Sequence, residues 1–227
     1  ANVARVAAKA KEHGMYVLLA GVVDRIERNE AILFGRDGRE IGRYFKMAKT
    51  HDEMIPGDDT PVLETDFGRI GVRICADEWM VEIDRCYGLK GADILFTPTQ
   101  SWGPDALFRN QRDISRAMDT GMFLVEVTHP STEVRHRSII VEPTGAIVAS
   151  SEYRQKGLVS AVIDLDKDRP LRYVRSYKPH KPGGYLPEYQ PDRMPSAAND
   201  LREVILQQRR PELYSVLKPA DAAAKKR

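Results

Sequence analysis

From Phe67 to Trp79 the chain reads Phe-Gly-Arg-Ile-Gly-Val-Arg-Ile-Cys-Ala-Asp-Glu-Trp, with Ile70, Val72 and Ile74 alternating with Gly71 and Arg73. A period of two is the mark of a strand with one apolar face. The same reading predicts strands over 15–23, 29–36, 40–47, 61–65, 69–74, 93–97 and 122–128, a hairpin from 136–141 to 145–150, and a last strand over 157–164. Apolar residues at helical spacing, beginning with Val3, Val6 and Ala7, predict helices over 3–13, 82–89 and 104–120. Helices alternate loosely with paired strands, so the fold class is α/β, with sheets covered by helices rather than a plain repeat of βαβ units. After Asp168 the prolines 170, 179, 182, 187, 191 and 195 break regular structure, and one helix over 197–208 interrupts the run. The pattern divides the chain into a folded domain over 1–168 and an extended arm over 169–227. The arm's tyrosines 173, 177, 185, 189 and 214 fit packing against a second copy of the chain or along the domain edge.

Composition changes this picture little. At 227 residues and 42% hydrophobic content the chain can bury one sizeable core. Its 35 basic and 33 acidic residues leave a net charge of +2, so no global field calls for nucleic acid or an anionic membrane. No apolar run approaches a membrane span and no leader is visible, which makes the cytoplasm the expected location. Two cysteines form no disulfide framework, and Cys86, inside the helix predicted over 82–89, reads as a packing residue. His129 and His136 lack the spacing and cysteine partners of a zinc site, so no metal and no cofactor is expected.

Cys75 is the centre of the candidate chemistry. It ends the strand predicted over 69–74, where a thiol can face a cleft while the sheet holds it; a packed thiol is the plainer alternative. Upstream, Asp37-Gly38 turns into a strand that ends at Lys46, Glu53 follows seven residues later, and Pro56-Gly57-Asp58 turns the chain again. These residues resemble the nitrilase, or carbon-nitrogen hydrolase, superfamily, whose members carry a G-x-Y-x-K segment, a PGD-like turn, an F-G-x-I-G-x-x-I-C-x-D strand and a glutamate seven residues past the cysteine, here Glu82. The likeness continues through Lys90–Pro98, through Arg116-Ala117-Met118-Asp119-Thr120, where Asp and Thr stand for the family's Glu and Asn, and through Ser138–Gly145. It covers about residues 4 to 166 and is taken up again at Arg210–Tyr214. Order and spacing together carry it, since each piece alone is common.

The resemblance implies a four-layer α-β-β-α sandwich over 1–168 and hydrolysis of a small linear amide or N-carbamoyl amine through a cysteine thioester. It implies Cys75 as nucleophile and Lys46 as the cation for the developing oxyanion. Lys49, in Lys49-Thr50-His51, is the alternative lysine. Glu53 corresponds to a second glutamate that orients the lysine or the substrate, while Asp77 and Glu82 anchor the nucleophile loop, Glu82 through Arg116. Glu78 and Trp79, just past the nucleophile, are the candidate substrate-binding residues, and a carboxylate there suits a cationic or neutral amine better than an acid. The family's general-base glutamate lies upstream of the helix that opens this chain, so the first strand and that glutamate are expected to be missing. An N-terminally truncated enzyme with impaired activity and an exposed strand edge follows. The expected partners are the small substrate and further copies of the chain, as a homodimer or higher oligomer. The rival reading is a non-catalytic nitrilase-like subunit or interaction module.

Overall fold

The computed structural model describes residues 2–23, 27–49, 54–100, 108–129, 137–152, 156–165, 209–214 and 217. Helix α1 (Asn2–His13) leads into strands β1 (Val17–Val23), β2 (Asn29–Phe34) and β3 (Glu40–Phe45), an antiparallel sheet in the order β1-β2-β3. A second sheet holds β4 (Leu63–Glu64), β5 (Arg69–Val72), β6 (Ile94–Thr99), β7 (Phe123–Thr128), β8 (Ile139–Val141) and β9 (Ile147–Ser150), in that order. Within it β5, β6 and β7 run parallel, and their crossovers are α2 (Val81–Lys90) and α3 (Arg109–Thr120).

The side-chain alternation of each strand builds four layers. One face of β2 sends Ile32 and Phe34 to Ala10, Val3 and Val6 of α1. Its other face sends Ala31 and Leu33, with Tyr44 of β3, against Leu63, Ile70, Val72 and Ile74 of the second sheet. The far side of that sheet packs Leu95, Leu124 and Val141 against Ile83 and Tyr87 of α2 and Ala117 of α3. Each buried Leu or Ile contributes roughly 1.5–3 kcal/mol relative to exposure. The expected α-β-β-α sandwich is therefore present, and no helix among the described residues is long and apolar enough to cross a membrane.

One glycine is required by close approach. A Cβ on Gly71 would stand 2.7 Å from the Tyr87 ring, whose hydroxyl donates to the Val72 carbonyl at 2.6 Å. Glycine there lets α2 lie directly on β5, the strand that leads to Cys75.

Several expected elements differ. The strand expected over 157–164 is irregular, with Val162 fully exposed and Leu158 92% exposed. Only Ile163 and Leu165 reach apolar neighbours, beside Ile94 and Phe123. Alternation alone cannot make a strand that finds no ladder partner. The strand expected over 61–65 is reduced to β4, and the helix expected over 104–120 is described from Phe108 onward. The helix over 197–208 and nearly all of the arm lie outside the described residues.

Cys86 is exposed rather than packed. Helix α2 buries Ile83, Asp84, Tyr87 and Gly88 along one stripe, and Cys86 falls beside it.

Candidate active site

Cys75 follows β5 and opens a short 3-10 turn, Cys75–Trp79. The Arg73 N–H still bonds the Phe96 carbonyl at 3.0 Å, so β6 guides the chain almost to the cysteine. Cys75 then takes φ of 51°, a left-handed conformation unusual for a residue with a side chain. The half-buried thiol sits 3.9 Å from the Gln100 carbonyl, just past the end of β6. This is the carboxyl end of the parallel strands, where open α/β sheets bind ligands.

Asp77 ties this turn to the lysine segment. It is fully buried, and its Oδ2 accepts from the Ile74 N–H at 2.8 Å and the Tyr44 hydroxyl at 2.7 Å. Its Oδ1 accepts from the backbone N–H groups of Met47 at 3.1 Å and Ala48 at 2.6 Å. A single carboxylate thus holds the residue before Cys75 and the two residues after Lys46. Burial and the Asp77 charge push the Tyr44 hydroxyl up, so it remains a donor at any physiological pH.

Lys46 is buried at 4% exposure, whereas Lys49 is exposed. The Lys46 backbone closes the β3 ladder onto the Asn29 carbonyl at 2.8 Å and accepts from the Gly57 N–H at 2.8 Å. A Cβ on Gly57 would come within 2.1 Å of the Phe45 carbonyl oxygen, so the Pro56-Gly57-Asp58 turn presses on the strand end that carries Lys46.

Behind the nucleophile lies a group of buried charges that periodicity did not show. Arg73 is fully buried and ion-paired with Asp84 and Asp113, and its Nε donates to Thr97 Oγ1 at 2.9 Å. Arg109, 1% exposed, pairs with Glu78 at 2.7 Å and with Glu126 at 3.4 Å, and its Nη2 donates to the Cys75 carbonyl at 3.0 Å. Burial pushes Asp84 up to about 6 against the pull of Arg73 and Arg116.

The expected site residues meet different fates. Cys75 and Lys46 are brought to segments joined through Asp77. Glu53 lies outside the described residues. Glu78 is fully buried, with its carboxylate between Arg109 and Arg112, each at 2.7 Å, so its charge is taken up by two guanidiniums rather than offered to a cleft. Trp79 stands 62% exposed on the same turn. Arg116 pairs with Asp84 at 3.3 Å, not with the exposed Glu82, because Asp84 lies on the inward stripe of α2.

Glu78, Asp113 and Glu126 bring carboxylate oxygens within 4.8 Å of one another, the geometry of a hard-cation site. Arg73, Arg109 and Arg112 already supply the counter-charge, and a cation would have to displace them.

Asp113 and Glu126 bring carboxylate oxygens within 4.8 Å of one another inside this group, where a proton on one of them would relieve the repulsion. Burial and the Glu126 charge hold Asp113 well above the carboxylate range, and burial also raises Glu126. The folded chain therefore keeps a proton that the unfolded chain releases above about pH 4. The resulting stability is fully present below that value. It falls as pH rises, by up to about 1.4 kcal/mol per pH unit for one proton, until the folded carboxyl ionises. Asp113→Asn imitates the protonated form, since its Oδ1 still accepts from Arg73 and its amide donates to Glu126. Urea midpoints between pH 5 and pH 8 are expected to vary less in Asp113→Asn than in the wild type. Equal slopes would show that no proton is shared.

The profile of the family described as Carbon-nitrogen hydrolase matches residues 1–173. A probable nitrilase of Schizosaccharomyces pombe is 31% identical over 63% of this chain and 56% of its own length. An N-carbamoylputrescine amidase of Solanum tuberosum is 28% identical over 64% of the chain and 57% of its own length. The chain thus spans little more than half the length of these curated relatives. Among solved structures, a variant of an amidase from Nesterenkonia, crystallised with the acetamide moiety of fluoroacetamide added covalently to its active-site cysteine, superposes with a TM-score of 0.61. The identity is 22%, with 69% of this chain and 64% of that one covered.

Proposed function

Because this chain belongs to the carbon-nitrogen hydrolase family, we propose that it hydrolyses a small linear amide or N-carbamoyl amine, with Cys75 as nucleophile and Lys46 as the cation for the oxyanion. One observation carries the residue assignment: the buried Asp77 carboxylate bonds the amide N–H groups of Ile74, Met47 and Ala48, fixing the neighbours of both residues to one point. The N-carbamoylputrescine amidase likeness supports the substrate class.

In the first step Cys75 Sγ, giving its proton to a base, bonds to the substrate carbonyl carbon, and the carbonyl electron pair moves to oxygen. Lys46 and a backbone N–H after Cys75 stabilise that oxyanion. Its collapse breaks the C–N bond, ammonia or an amine leaves carrying a proton, and a thioester remains. Water then adds to the thioester carbon, the C–S bond breaks, and the acid departs as the thiol recovers its proton. In this reading Glu53, seven residues past Lys46, orients the lysine or the substrate, and Trp79, exposed on the turn that Cys75 opens, contacts the substrate. With the Glu78 charge neutralised by Arg109 and Arg112, substrate choice falls to shape and to Trp79 rather than to an acidic contact. Ammonia release by the full-length protein from a panel of linear primary amides, N-carbamoyl amines and nitriles tests this. Turnover of an amide or carbamoyl amine is expected. Absence of release from every member, with Cys75 intact, would overturn the reading and favour a non-catalytic subunit.

A further inference from the structure

The left-handed conformation of Cys75 needs an explanation beyond the turn that contains it. Such a conformation costs on the order of 1–3 kcal/mol for a residue with a side chain, and it persists only where its surroundings over-determine it. On the amino side, Asp77 holds the Ile74 N–H at 2.8 Å. On the carboxyl side, the Cys75 carbonyl accepts from Arg109 Nη2 at 3.0 Å.

Arg109 begins α3 and is almost wholly out of solvent. A buried guanidinium is tolerated only when paired, and here the partners come from two other elements. Glu78 in the turn lies 2.7 Å away and Glu126 on β7 lies 3.4 Å away. Glu78 is itself fixed by Arg112 at 2.7 Å. Turn, helix and parallel strand therefore converge on one planar group that faces the peptide of the nucleophile. Arg109 Nη2 meets both the Glu78 carboxylate and the Cys75 carbonyl while Nε faces Glu126, a span that the rigid fork of a guanidinium covers and the single nitrogen of a lysine does not.

We propose that Arg109 is a positioning residue for Cys75: held between Glu78 and Glu126, it fixes the Cys75 peptide in the conformation that aims the thiol across the ends of the parallel strands. The inference rests on Cys75 being the nucleophile, and it assigns Glu78 the task of holding Arg109 rather than substrate. A thiol displaced by about 1 Å can lose 10²-fold in rate without loss of substrate binding.

The test uses the full-length protein with Cys86→Ala as background, so that Cys75 alkylation can be followed alone. Arg109→Lys keeps the charge and is expected to lower kcat about 10- to 100-fold with KM within about twofold, and to slow alkylation of Cys75 by iodoacetamide across pH 6–9. Rates are normalised to folded protein. A folded Arg109→Lys variant with wild-type kcat and a wild-type alkylation profile would overturn the proposal. If Arg109→Lys does not fold, Glu78→Gln decides. It is the same size and removes the nearer of the two Arg109 counter-charges, so kcat should fall with KM nearly unchanged, and a wild-type kcat would overturn the proposal. Cys75→Ser in the same assay separates the two levels. Turnover retained there would defeat the nucleophile itself, whereas an inactive Cys75→Ser beside an unaffected Arg109→Lys would defeat only the role of Arg109.

Discussion

Replacing Cys75 with alanine is expected to lower amide turnover by about 10⁴- to 10⁶-fold, the scale seen when a covalent nucleophile is removed from an otherwise intact site. The variant should fold, because the turn is held by Asp77 and Arg109 through backbone groups rather than by the thiol. Alanine also keeps the backbone preference of the site, although its left-handed conformation remains strained. Cys86→Ala provides the contrast. Cys86 is exposed beside the buried stripe of α2, and its loss should leave turnover within about twofold. Steady-state kinetics of the two variants at matched folded concentration checks this.

The second large effect is at Lys46. Losing an oxyanion cation costs on the order of 10²–10³ in turnover, so Lys46→Ala should fall by that factor while Lys49→Ala changes little. The basis is physical: a lysine with 4% exposure has given up most of its hydration, whereas Lys49 keeps its own. The segment around Lys46 is also fixed from three sides, by Asn29, Gly57 and the Asp77 carboxylate. A larger loss at Lys49 would transfer the role to it.

Much of the frame was legible in the sequence because apolar alternation and burial coincide. Ile70, Val72 and Ile74 face the first sheet as their period of two requires, while Gly71 faces Tyr87. The role of Asp77 as an anchor was legible too, through the family resemblance of the segment Ile74-Cys75-Ala76-Asp77. The buried charges were not. A charge in a periodic pattern is read as solvent-facing, yet Arg109, Asp113, Ala117 and Thr120 form the buried stripe of α3. One signal was available: Glu126 interrupts the apolar run Phe123–Val127 on a strand that pairs with neighbours on both sides, and a carboxylate there needs partners. The burial of Glu78 was not legible for the same reason: its place near Cys75 pointed to substrate, and its carboxylate lies inward between Arg109 and Arg112. The strand expected over 157–164 failed because alternation records a face but not a partner.

The most direct test of the central claim is to trap the acyl intermediate. The full-length protein is mixed with a linear primary amide, quenched in acid within the first turnovers, digested and mapped by mass spectrometry. The mass of the substrate acyl group, and no more, should appear on the peptide carrying Cys75 and be removed by hydroxylamine as a thioester is. Turnover with no adduct on Cys75, or an adduct on Cys86 or a lysine instead, would contradict the account.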